Sequence, residues 1–137
     1  MQRAETKARV RALQLLYAWD LTGRPSLKTV IVRVAGMYGQ GPAHPDRGAE
    51  LAAKGIAGLA DFDQLISAAA EHWRLERVGI IERNILRLAL AEIAEGATPS
   101  RVVIDEAVKL AHWFAGAKAP GFVNGVLDTA ARQLGAL

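Results

Sequence analysis

The chain is 137 residues long, 51% hydrophobic and 23% charged, which fits one globular domain and excludes a disordered or low-complexity segment. It has no cysteine, so a disulfide framework and a thiolate metal site are excluded, and the composition fits a reducing cytosol. The net charge is +3, and all of it lies in the first eleven residues, where Arg3, Lys7, Arg9 and Arg11 face only Glu5.

A basic end on a balanced body is the footprint of a polyanion contact. A solvated helix start kept basic for solubility is the competing reading. The first predicted helix spans about 3–21. At about 100° per residue, Arg3, Lys7, Arg11 and Gln14 form one polar stripe, with Arg9 off it and nearer Leu16. Val10, Leu13, Leu15, Leu16, Tyr17 and Trp19 spread over the rest, so the helix is expected to be largely buried with one basic edge in water. Gln14 and Asp20 interrupt the apolar part, which argues against a signal peptide.

Gly23 and Pro25 end that helix. Residues 26–36 contain the β-branched run 29–34, which reads as a strand by propensity. A strand needs a partner, and the chain offers no second one, so the segment is expected to be a helix capped by Ser26. Residues 36–48 hold four of the 13 glycines with Pro42 and Pro45 and predict a loop, the next helix resuming near Pro45. The Ala- and Gly-rich stretch 46–60 reads as a helix packed closely on a neighbour, and Asp61 is expected to open another, to about residue 73.

Residues 80–93 are apolar around most of a helix circumference (Ile81, Ile85, Leu86, Leu88, Leu90 and Ile93 among them), with Arg83, Asn84 and Arg87 on the narrow arc left. Such a helix must be covered on several sides. Its charges rule out a membrane span. Gly96 closes it, and Thr98-Pro99 predicts a cap with Pro at the first position of a helix over about 99–114. There Val103, Ile104, Ala107 and Leu110 share one side, while Asp105, Glu106, Lys109 and His112 are expected in water, with Asp105–Lys109 a pair. A loop over 115–121 and a last helix over about 122–134 complete an all-α chain of about seven helices.

Convergent catalytic residues are absent. His44, His72 and His112 have no ligand partner at metal-binding spacing, and Ser26, Ser67 and Ser100 lack a nucleophile-elbow context. No Gly-Lys-Ser/Thr motif exists, so a P-loop is excluded. No enzyme, metal or cofactor is expected.

The segments Glu82-Arg-Asn-Ile-Leu-Arg-Leu-Ala-Leu-Ala-Glu-Ile93, Thr98-Pro-Ser-Arg-Val-Val-Ile-Asp-Glu-Ala-Val-Lys-Leu-Ala111 and Phe122-Val-Asn-Gly-Val-Leu-Asp128 closely resemble the NusB family of transcription antitermination factors. The first helix agrees, with basic residues leading into Ala12-Leu-Gln-Leu-Leu-Tyr-Ala-Trp19; the resemblance thins over about 24–77. It implies two small helical bundles packed together in one RNA-binding domain, 1–137. It also implies a cytoplasmic, non-enzymatic factor that binds boxA RNA of ribosomal RNA leaders with the ribosomal protein NusE and helps RNA polymerase read through terminators. By the same resemblance, Arg3, Lys7, Arg9, Arg11, Gln14, Lys118 and Phe122 are the expected RNA-binding residues, and Tyr17 and Glu82 the expected NusE contacts. The alternative is a helical interaction scaffold or homodimer that binds no RNA by itself. A methyltransferase is not expected, because no cofactor-binding βαβ region follows.

Overall fold

The computed structural model describes residues 4–38, 46–70 and 78–137, and among them every regular element is a helix. In chain order these are α1 (Ala4–Leu21), α2 (Leu27–Tyr38), α3 (Arg47–Ala57), α4 (Leu59–Ala69), α5 (Ile80–Glu95), α6 (Ser100–Phe114) and α7 (Ala119–Gln133). α1, α2 and α3 make one bundle; α4, α5, α6 and α7 make the second. α5 belongs to both in effect, packing on α1 and α3 as well as on α4, α6 and α7.

The girth of apolar side chains on α5 dictates that position. Nine of its residues are buried, and Leu86 and Leu90 have no exposed surface. Two of the three residues of the polar arc are buried too: Asn84 is 0% and Arg87 1% exposed. A guanidinium enclosed this far is tolerated only with full pairing. Arg87 donates to both oxygens of Asp63 on α4 at 2.7 and 2.8 Å, and to Asp20 on α1 at 3.0 Å and Asn84 Oδ1 at 2.9 Å.

The β-branched run of α2 is helical. Val30 and Val34, one turn apart, bury against the rest of the core, and Ser26 Oγ accepts from the Thr29 N–H at 3.2 Å as the expected cap. Tertiary burial decides over strand propensity here. Asp46 caps α3 by accepting from the Ala49 N–H at 3.0 Å; Pro45 itself lies outside the described residues. Three boundaries differ from expectation. α4 opens at Leu59 directly after Gly58, two residues before Asp61. Pro99, not Thr98, occupies the cap position of α6, its carbonyl accepting from the Val102 and Val103 N–H groups. α7 starts at Ala119 rather than 122, with Pro120 in its first turn, where its fixed φ suits the helix and its missing N–H costs nothing.

One side chain expected in water is inside. Glu106 is 8% exposed: it accepts from Thr6 Oγ1 of α1 at 3.1 Å, and Lys109 pairs with it at 3.4 Å in place of the expected Asp105–Lys109 contact.

Candidate nucleic-acid interface

The opening turns of α1 carry the charge excess, and the fold divides it unequally. Lys7 is exposed and forms no ion pair among the described residues. Arg9, by contrast, is 7% exposed and turned inward. Its Nε and Nη2 donate to the two oxygens of Glu92 on α5 at 2.8 and 2.7 Å, and Nη1 lies 3.9 Å from Glu106. Those bonds to Glu92 raise the Arg9 pKa despite the opposing effect of burial. Arg11 is bidentate as well, to Asp46 at 2.8 and 2.5 Å. That contact pulls the Asp46 carboxyl below the ordinary carboxylate range, with the Ala49 N–H contributing further. The basic edge expected in water is therefore met at Lys7 but not at Arg11, and Arg9, off that stripe, turns inward, because carboxylates from α5 and the α3 cap meet both arginines. Arg3 lies outside the described residues, as do His44 and His72.

The remaining expected residues come from three helices and the turn before α7. Gln14 and Tyr17 on α1 line a hollow of about 220 Å³ with Val10, Leu13, Ile81 and Phe114. A second hollow, of about 470 Å³, is lined by Val78, Gly79, Glu82, Lys118 and Phe122 with alanines of the α6–α7 turn. Their linings are consecutive in the chain at two places: Ile81 and Glu82 on α5, and Phe114 and Ala115 at the end of α6. Gln14, Tyr17, Glu82, Lys118 and Phe122 thus border one mostly apolar surface. Lys118 is exposed and, like Lys7, has no ion pair among the described residues.

Such a surface can hold an extended anionic chain that also carries flat apolar groups. Phosphates need exposed, unneutralised cations, which Lys7 and Lys118 are. Bases need apolar or aromatic walls with a few polar edges, which Phe114, Phe122 and Gln14 supply. Among the described residues no group of His, Asp or Glu could hold a metal ion, and no helix is long and apolar enough to cross a membrane. Absent from the sequence reading were the structural partners Asp46 and Glu92, and the exposed ring of Trp113. The wheel position of Arg9, beside Leu16, was the one signal pointing inward.

Comparison with known proteins adds four findings. The family described as "NusB family" matches residues 6–132. A transcription antitermination protein NusB of Solibacter usitatus is 40% identical over 129 residues, 93% of this chain and 88% of that protein. Among solved structures, T. maritima NusB superposes with a TM-score of 0.82 at 26% identity, over 97% of this chain and 94% of that one. A chain in the crystal structure of antitermination factors NusB and NusE in complex with dsRNA gives 0.81 at 29% identity, over 97% and 99%.

Proposed function

The chain belongs to the NusB family, and from that premise we propose how its surface serves transcription antitermination. It is an RNA-binding factor that takes boxA-type RNA of ribosomal RNA leaders together with the ribosomal protein NusE, so that RNA polymerase reads through terminators. It works by binding rather than turnover, in the cytoplasm, with residues 1–137 acting as one domain. The observation that carries this reading is two exposed lysines without an ion pair among the described residues: Lys118, which lines one hollow, and Lys7, one helical turn before Val10 of the other. Relatives with the same printed role, and a similar chain in a structure with NusE and dsRNA, support it.

Within that surface the roles separate by environment. Lys7 and Lys118 neutralise phosphates, and Arg3 adds to them. Gln14 and Phe122 meet bases. Tyr17 and Glu82, each at the edge of a hollow, contact NusE. Arg9 and Arg11 act through their carboxylate partners: they fix the first turns of α1 against α5 and α3, so that Lys7 is presented at a set place.

Fluorescence anisotropy of boxA RNA, titrated with and without NusE over a salt series, tests this. Lys7→Glu and Lys118→Glu should each weaken binding across RNA sequences and reduce the salt slope by about 0.7, the value for one lost phosphate contact on a single strand. Unchanged slopes in both variants would remove these two lysines from the interface.

A further inference from the structure

We propose that Trp113 is a base-stacking platform: its exposed indole takes the flat side of one unpaired nucleobase of the bound RNA. The inference rests on the RNA-binding reading above and adds to it a residue that sets where a base is held.

Trp113 and Phe114 end α6, and both stay open to solvent, at 43% and 45% exposure. Their rings meet edge to face, with centroids 6.3 Å apart and planes at 83°. Such a contact steadies the indole without covering it. The placement follows from helix geometry. Glu106 lies seven residues earlier, two turns or about 10 Å back along the same flank of α6, and it accepts from Thr6 of α1. That flank therefore faces α1. Phe114 in turn walls the hollow that Gln14 and Tyr17 border. Trp113 thus stands at the α1-side rim of the hollow, five residues before the unpaired Lys118.

An exposed indole at this point favours RNA over a protein segment for a reason of charge. Lys7 on α1 and Lys118 in the α6–α7 turn form no ion pair among the described residues, whereas Arg9 and Arg11 are both paired. A polyanion with π-faces matches both features at once. Stacking accepts any base, so the platform fixes position along the strand more than sequence.

The test uses the full chain and a single-stranded boxA-type RNA, with circular dichroism verifying that each variant is folded. Trp113→Ala should weaken RNA binding about tenfold, within the range of one lost base stack, with the salt slope unchanged. Trp113→Phe should restore most of the affinity. Abasic substitutions walked along the RNA should find one position that costs the wild type affinity and costs Trp113→Ala nothing more. Wild-type affinity in Trp113→Ala, or a loss that couples to no position, would overturn the proposal. So would intact RNA binding with weakened NusE association, which would make the ring a protein contact. A wild-type chain that binds no single-stranded RNA defeats the functional reading itself. Binding that responds to Lys7→Glu but not to Trp113→Ala defeats this inference alone.

Discussion

The guanidinium of Arg9 directs two N–H groups at Glu92 and keeps a third within 3.9 Å of Glu106, at a point where water barely reaches. A cation so placed lends little to a distant phosphate, because the buried Glu106 and the partly buried Glu92 already answer it. Removing it strands those carboxylates in a poorly solvated pocket. Arg9→Gln should therefore lower stability by about 3–5 kcal/mol, the usual cost of orphaning one member of a buried pair, read by urea denaturation. The double variant Arg9→Gln with Glu92→Gln should recover part of that loss, since neither charge is then left alone. The salt slope for RNA of the folded single variant should stay at the wild-type value. A slope reduced by about 0.7 would instead make Arg9 a direct phosphate contact. Charge counting found the basic end of the chain but not which cations are free. That distinction depends on Glu92 and Asp46, which are 83 and 35 residues away in sequence.

Helix faces set how closely the elements approach, and Gly48 marks the tightest approach of α3 to α1. A Cβ there would meet Arg11 Cγ at 2.7 Å and the Ala8 carbonyl oxygen at 3.0 Å. The arginine stem can yield only by disturbing its bidentate bond to Asp46, and the carbonyl cannot yield. Gly48→Ala should destabilise by about 1–2 kcal/mol, overpacking outweighing the gain of up to about 1 kcal/mol in helix propensity. Gly36→Ala in α2, with nothing within 4 Å, receives only the propensity gain and should raise the melting temperature. Opposite shifts in thermal denaturation check both together, and a stabilised Gly48→Ala would show that α1 and α3 are not in tight contact. Helices were legible where a narrow polar stripe ran along an otherwise apolar girth, as in α1 and α5, or where apolar residues shared one side, as in α6. The cap of α2 at Ser26 was legible as well. Glu106 was not, because on the wheel it lies at the border between Lys109 and Leu110, and the arrival of Thr6 and Arg9 from α1 puts it inside. The start of α7 was obscured by Pro120, which reads as a breaker unless it falls in a first turn.

Across the whole molecule, the two bundles are tied by apolar packing on α5, by the contacts of Thr6 and Arg9 with Glu92 and Glu106, and by a polar cluster in which Asp20 of α1 and Asp63 of α4 meet Arg87 of α5. Burial alone would raise the Asp20 pKa. Hydrogen bonds from Arg24, Arg87 and Asn84 outweigh it and leave the carboxyl below its ordinary value. A carboxyl with a depressed folded-state pKa binds protons more readily in the unfolded chain. Its contribution is therefore complete above the unfolded value of about 3.9 and disappears as pH falls through the folded one. Asp20→Asn removes that dependence. Because Arg87 keeps both bonds to Asp63, the variant should be about 2 kcal/mol less stable than wild type at pH 7, less than the cost of a wholly orphaned charge. The gap should hold down to about pH 4 and then close with further acidification, as the wild type loses what the variant never had. Urea denaturation at intervals from pH 7 to pH 2, followed by far-ultraviolet circular dichroism and tryptophan fluorescence, measures it. Coincident transitions by the two probes are expected, since α5 lies in both bundles and neither can lose it and stay folded. A gap that persists unchanged at pH 2 would mean that Asp20 carries no protonation-linked tie between the bundles.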